Sequence, residues 1–253
     1  MPVDPKSGVY FEVDGDGPFV FLGPILGPSQ RDYMGDMMGD VVDAYIDGLK
    51  CHFTVIIADY PSIGQSTDIP PQDLTAARCA HDLLSVALAA GAERFTFWGY
   101  SWGASVALQL AIRTERLDGL VMGGWPPLGA PFDTILQGAR LNVSDPPSES
   151  MVMLRRPAQY QQWVSYYESL IQFDQQAALQ RVTCPALVYH GDTGDSDAGG
   201  LFLPIASAIR ENADAIEQAG WTIKSIAGAG HEVVMKPAEV LRVVRPFLDD
   251  LYS

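Results

Sequence analysis

Residues 94–111 read Arg94-Phe95-Thr96-Phe97-Trp98-Gly99-Tyr100-Ser101-Trp102-Gly103-Ala104-Ser105-Val106-Ala107-Leu108-Gln109-Leu110-Ala111. The run Arg94–Trp98 is rich in aromatic and β-branched residues, as a strand is, and the stretch from Ala104 onward has helical character. Between them lies Gly99-Tyr100-Ser101-Trp102-Gly103, a Gly-x-Ser-x-Gly pattern. Five residues alone are a weak signal; the strand before and the helix after give it weight. A sharp strand-to-helix turn strains the serine backbone, and neighbours larger than glycine would clash. Such a turn lifts the Ser101 hydroxyl into open space above the sheet. It also sets the Trp102 amide at a helix N-terminus, where it can stabilise a developing oxyanion. Ser101 is therefore the candidate nucleophile.

Outward from this stretch, short apolar runs alternate with amphipathic helices. That is the signature of an α/β fold, a mostly parallel twisted sheet with helices on both faces. The predicted strands are Val9–Val13, Phe19–Leu22, Phe53–Ala58, Arg94–Trp98, Gly119–Met122, Ala186–Tyr189 and Thr222–Ile226. Several are continuously apolar, as strands covered on both sides must be. Tyr33, Met34, Met37, Met38, Val41, Val42, Tyr45, Ile46 and Leu49 recur at helical spacing and predict one core-facing helix, with Ser29 and Asp32 as its cap. Further helices are expected over Asp73–Ala90, after Ser101, and over Pro237–Leu251. The alternation lapses between Pro126 and Val182, where Pro- and Ser-rich pieces flank short helical patterns. Residues 127–182 therefore read as a short insertion with helical patterns in a core made of residues 1–126 and 183–253. The insertion is too short to hold much core of its own.

A serine hydroxyl is a weak nucleophile without a base. Of the four histidines, His52 precedes a strand and His81 lies in a helical pattern, which are structural positions. His190 ends a strand, while His231 sits in Gly228-Ala229-Gly230-His231-Glu232, just past Thr222–Ile226. A glycine turn at the C-terminal end of a strand is where open α/β sheets present functional side chains, so His231 is the expected base. The third member is a carboxylate that orients the imidazole. Asp192, Asp195 and Asp197 all follow the strand Ala186–Tyr189. Asp195, deepest of the first two into the loop, is the first candidate and Asp192 the second.

In the order Ser, Asp, His, these residues resemble the α/β-hydrolase family over roughly Val9 to Leu251. Asp59-Tyr60-Pro61-Ser62-Ile63-Gly64-Gln65-Ser66 is similar to the family's loop after the third large strand, with Ser62 in place of a glycine. The segment Thr183–Asp192 is similar to the strand and loop that deliver the acid, although Gly191-x-x-x-Asp195 is one residue longer than the family's Gly-x-x-Asp. The resemblance implies a serine-hydrolase triad, with residues 127–182 where the family carries its cap. It also exposes a departure. After Phe19–Leu22 the family has His-Gly and then an oxyanion donor; here Leu22 replaces the histidine and Pro24, which has no N–H, holds the donor position. Either the loop shifts so that the Ile25 amide serves, or the chemistry needs less oxyanion stabilisation.

The chain has 16 Lys and Arg against 31 Asp and Glu, a net charge of −15. Such a field disfavours nucleic-acid and anionic membrane partners. Residues 127–182 carry five acids and four arginines, a charge of −1, which leaves −14 on the remainder. The three cysteines, Cys51, Cys79 and Cys184, form no metal-ligand pattern, and a reduced, cytoplasmic compartment is expected. The N-terminus has neither a basic start nor an apolar stretch, so no signal peptide is expected. No metal or cofactor is expected either. The leading expectation is an enzyme that cleaves an ester, thioester or lactone through an acyl-enzyme. Trp102 and the cap aromatics Tyr160, Trp163, Tyr166 and Tyr167 point to a small, largely apolar substrate, with Pro24, Trp163 and Tyr166 as candidate substrate contacts. A lyase, cyclase or carbon–carbon bond hydrolase on the same scaffold, or a non-catalytic ligand-binding protein, are the alternatives.

Overall fold

The computed structural model describes residues 3–23, 27–33, 35–146, 154, 156–198 and 200–253, without the side chains of Tyr33 and Ala198. Each predicted strand forms, with its ends adjusted. They are β1 (Phe11–Asp14), β2 (Phe19–Leu22), β3 (Thr54–Ala58), β4 (Phe95–Tyr100), β5 (Leu117–Gly123), β6 (Ala186–Gly191) and, last in the sheet, Trp221–Ile226. Before that last strand the chain makes a two-stranded antiparallel hairpin, β7 (Ser196–Ala198) and β8 (Leu201–Leu203), so the seventh strand of the main sheet is β9. The sheet order is β1-β3-β2-β4-β5-β6-β9. Only β1 runs antiparallel to its neighbour; the other pairings are parallel.

Side chains on successive strand residues point to opposite faces, and both faces are apolar here. Phe21, Ile56, Phe97, Met122 and Val188 belong to one core, and Leu22, Ile57, Trp98, Val121 and Leu187 to the other. The first core is covered by α3 (Ala76–Ala89) and α4 (Trp102–Ala111), the second by α2 (Asp36–Leu49) and α10 (Pro237–Leu251), all numbered in chain order after a short α1 (Gln30–Tyr33). The sheet is thus enclosed on both sides, which is why its strands lack polar alternation.

The chain between β5 and β6 forms α5 (Phe132–Ser144), a 3₁₀ turn (Pro157–Tyr160), α6 (Gln161–Glu168) and α7 (Gln175–Arg181). Phe132, Leu136, Val164 and Leu179 from these elements, and Leu170 between α6 and α7, join the first core. No helix among the described residues is long and apolar enough to cross a membrane.

Two local expectations need correction. The helix expected from Tyr33 breaks at Gly35, whose φ of 82° lies in the left-handed region that favours glycine, and α2 starts only at Asp36. Met37, expected in the core, falls in the first turn of the shortened helix and is 71% exposed. Nor does Ser29 cap a helix. Its hydroxyl donates to Asp59 Oδ2, its N–H donates to Asp59 Oδ1 (3.1 Å), and the Gln65 N–H donates to Oδ2 (3.0 Å). Burial pushes the Asp59 carboxyl above its usual range, and these donors oppose the shift. This staple ties the loop after β2 to the loop after β3. Asp59→Asn replaces an acceptor by an amide donor facing N–H groups. The expected cost is about 1–3 kcal/mol, read as a lower Tm, whereas an unchanged Tm would show that the staple contributes nothing.

Candidate active site

Parallel strands deliver their loops to one edge of the sheet, and Ser101 and His231 meet there. Ser101 directly follows β4 with φ 50° and ψ −120°, a left-handed conformation that side-chain-bearing residues rarely adopt. Its N–H donates to the Gly123 carbonyl (2.8 Å), and its carbonyl accepts from the Ala104 (2.9 Å) and Ser105 (3.1 Å) amides. A Cβ on Gly99 would lie 2.2 Å from the Gly103 carbonyl oxygen, which explains why the turn needs its glycine. The hydroxyl is left free of the helix and faces His231, with Nε2 at 3.0 Å from Oγ.

His231 opens a 3₁₀ turn, His231–Met235, after β9. The loop after β6 braces it from below: the Thr193 N–H (3.0 Å) and hydroxyl (2.9 Å) both donate to the Ala229 carbonyl. On the other side the Tyr45 hydroxyl donates to the Val234 carbonyl (2.9 Å). Burial holds the imidazole below its usual pKa, with the Glu232 charge opposing. Nδ1 is buried and has no hydrogen-bond partner among the described residues.

The structure joins Ser101 and His231 but does not bring Asp195 to them. Asp195 Oδ1 accepts the Ser207 N–H (2.8 Å), Oδ2 accepts the Ser207 hydroxyl, and Arg210 lies 3.8 Å away. Ser207 stands in the first turn of α8 (Ile205–Glu211), where free amides attract a carboxylate. Burial raises the Asp195 pKa, but these bonds outweigh it and hold the carboxyl below its usual value. Asp192 is exposed; its N–H donates to the Ile226 carbonyl (3.0 Å) and its carbonyl accepts from Arg210 (2.8 Å). Asp197 accepts the Gly200 N–H (2.8 Å) at the hairpin turn. His52 and His81 are exposed, and His190 is buried with Nδ1 2.8 Å from the Gly191 carbonyl.

Trp102 opens α4 directly after Ser101, so its N–H is the first amide of that helix. Pro24 and Ile25 lie outside the described residues. The Trp102 ring packs against Tyr60 (4.0 Å between centroids, planes tilted by 42°), Trp163 (5.6 Å) and Tyr166 (5.3 Å). Trp163 is half-buried and keeps part of its ring available. Tyr166 differs from expectation: it is fully buried, and its hydroxyl pairs with Ser105 (2.9 Å), so it is a strut under Trp102 rather than a pocket wall. Ser62 takes φ 63°, the backbone of the glycine it replaces. Its hydroxyl accepts from the Ile69 N–H (2.9 Å), an interaction glycine could not make.

Sequence reading missed two residues that shape this site. Tyr100 precedes Ser101, and its hydroxyl donates to the His231 carbonyl. Ser207 holds Asp195. No local pattern marks the first contact, because its partners lie 131 residues apart. The second had a signal: Ile205, Ala208 and Ile209 are spaced as one helix face, which puts Ser207 in a first turn.

A model of the alpha/beta hydrolase family matches residues 23–243. A putative carbamate hydrolase RutD of Agrobacterium fabrum is 27% identical over 139 residues, covering 51% of this chain and 50% of that protein. The chain thus spans about half the length of that relative. Among solved structures, a thermophilic esterase from Thermogutta terrifontis superposes with a TM-score of 0.70 at 20% identity, covering 97% of this chain and 94% of the other. The enol-lactonase from Burkholderia xenovorans LB400 does so with a TM-score of 0.69 at 20% identity, covering 95% and 96%. At these identities the structural likeness bears on the fold.

Proposed function

The chain belongs to the alpha/beta hydrolase family, and on that premise we propose that it hydrolyses an ester-like carbonyl, in an ester, thioester or lactone, through an acyl-enzyme on Ser101. The observation that carries this reading is the 3.0 Å contact between Ser101 Oγ and His231 Nε2 at a strained strand-to-helix turn. Ser101 Oγ attacks the carbonyl carbon while His231 takes its proton. The Trp102 N–H, with a second amide expected from Ile25, holds the oxyanion. His231 then protonates the leaving oxygen or sulfur as the acyl-enzyme forms. A water that gives its proton to His231 attacks the acyl carbon, and collapse of that second intermediate returns the proton to Ser101 and releases the acid.

The half-buried Trp102 and Trp163 rings favour an apolar substrate portion, and the charge of −15 disfavours an anionic one. Similarity to a putative carbamate hydrolase adds carbamates to the carbonyls worth testing. The test is a covalent fluorophosphonate probe together with p-nitrophenyl esters, thioesters, lactones and carbamates. Labelling with turnover is the expected result. Labelling without turnover of any of them would overturn the hydrolase reading in favour of lyase chemistry or ligand binding.

Residues 127–182 are proposed as the cap that sets specificity. Trp163→Ala is expected to lower kcat/KM for longer acyl chains about tenfold more than for acetyl, the scale of a few lost apolar contacts. Equal proportional losses across the acyl series would assign Trp163 to packing alone.

A further inference from the structure

The segment 154–160 is fastened to the loop after β3, the same loop that sets Tyr60 against Trp102. That loop is a fixed platform. It turns at Ser62, whose N–H donates to the Thr67 carbonyl (3.1 Å) and whose hydroxyl accepts the Ile69 N–H (2.9 Å). Leu154 meets it in an antiparallel bridge with Ile63. Gln159 then spans the junction with a fully buried amide. Its Oε1 accepts the Arg156 N–H (3.0 Å), which fixes the orientation of the amide, and its Nε2 donates to the Ser62 carbonyl (3.0 Å) and to Asp68 Oδ1 (3.1 Å). Arg156 adds an ion pair with Asp68 (3.0 Å), but both side chains are exposed and such pairs contribute little. The buried amide is the stronger tie, because its loss strands the Ser62 carbonyl away from water.

This tie matters for where it sits on α6. The far end of that helix is bound to the core separately: the Tyr166 hydroxyl pairs with Ser105 (2.9 Å), and the Ser169 hydroxyl accepts the Ala76 N–H (3.0 Å). Trp163 lies between the two anchors, about one helical turn past Gln159, with its ring 5.6 Å from Trp102 and 6.1 Å from Tyr160. Releasing Gln159 therefore frees the end of the helix that carries the indole, while the other end stays docked. We propose that Gln159 is a positioning residue: through Ser62 and Asp68 it holds Trp163 against Trp102, and so sets which acyl groups the site accepts. The inference deepens the reading of residues 127–182 as the specificity cap and rests on it.

The experiment compares wild type, Gln159→Met and Gln159→Glu in two readouts. One is the ratio of kcat/KM for p-nitrophenyl octanoate to that for the acetate. The other is acrylamide quenching of tryptophan fluorescence, which reports on the half-buried Trp102 and Trp163, since Trp98, Trp125 and Trp221 are buried. Methionine keeps the length of glutamine without its donor or acceptor. Glutamate keeps the acceptor for the Arg156 N–H, as either residue does in such a turn, and loses only the donor to the core. Assays at about pH 9 keep the introduced carboxyl ionised even when buried. Both variants are expected to lower the ratio about fivefold, within the tenfold scale of a few lost apolar contacts, and to raise quenching.

A Gln159→Glu protein that matches wild type would confine Gln159 to its own turn and overturn the proposal. Equal losses for both esters, or a shifted ratio with unchanged quenching, would overturn it too. If neither Gln159 variant folds, Asp68→Ala at the exposed side of the junction decides, a shift in the same direction supporting the tie and no shift sinking it. A wild type without turnover fails the hydrolase reading instead. The quenching arm then stands alone, a rise supporting the role of Gln159 in placing Trp163 and no rise ending it.

Discussion

Ser101→Ala is expected to lower ester turnover by a factor on the order of 10⁶ and to abolish fluorophosphonate labelling, while Tm stays within a degree or two of wild type. The size follows from the role: without the hydroxyl no acyl-enzyme forms, and only oxyanion contacts and binding remain. The retained fold follows from the local structure. The strained φ of 50° is held by backbone bonds to Gly123, Ala104 and Ser105, none of which uses the side chain. Other buried serines are poor substitutes because their hydroxyls are engaged: Ser29 with Asp59, Ser62 with Ile69, Ser105 with Tyr166. Intact-mass analysis after labelling checks the claim. A probe adduct that survives on another serine would show that the nucleophile has been misassigned.

The sheet was legible because burial on both faces writes itself into composition. Phe19–Leu22 and Ala186–Tyr189 have no polar face, so only a doubly covered strand accommodates them, and the helices between them carry a single apolar stripe. The turn at Ser101 was legible for a related reason: a strained turn tolerates few residue types, so its sequence is confined. What stayed hidden depends on pairings between distant residues. Asp59 takes Ser29 from 30 residues away, and this contact, invisible locally, ends the expected cap. The hairpin β7–β8 and the helices α8 and α9 (Ala213–Gln218) occupy a stretch after β6 in which no element was predicted.

Asp195 shows how a correct local reading can miss its partner. The residue stands on the expected loop at the expected edge of the sheet, yet a carboxylate goes to whichever donors are nearest and least satisfied. Asp195 lies against the first turn of α8, where Ser207 offers both an N–H and a hydroxyl. His231 then receives its bracing from Thr193, through the Ala229 carbonyl, and from Tyr100. The same loop and the same strand thus support His231, but through backbone carbonyls that no residue type advertises. Tyr166 misleads in the opposite way: an aromatic in the right segment is fully buried against Trp102, with its hydroxyl paired to Ser105.

His231→Ala is expected to cut kcat by a factor on the order of 10⁵–10⁶, nearly as much as loss of the nucleophile, because the two groups act as a unit. The pH profile separates the two losses. The imidazole must be neutral to accept the Ser101 proton, and burial holds its pKa below the usual value of about 6.5, Glu232 only partly opposing. A lowered pKa keeps the neutral form populated to lower pH. Wild-type kcat/KM is therefore expected to be flat through neutrality and to fall on an acidic limb below about 6.5. The same sign applies to stability. The unfolded chain protonates this histidine first, so the contribution is full above the unfolded value and is lost as pH falls toward the folded one. In His231→Ala the limb should vanish, leaving a small residual rate that rises with hydroxide. A limb that persists in the variant would assign the titrating base elsewhere, with His190 the first to substitute, since it lies at the same strand edge and burial lowers its pKa as well.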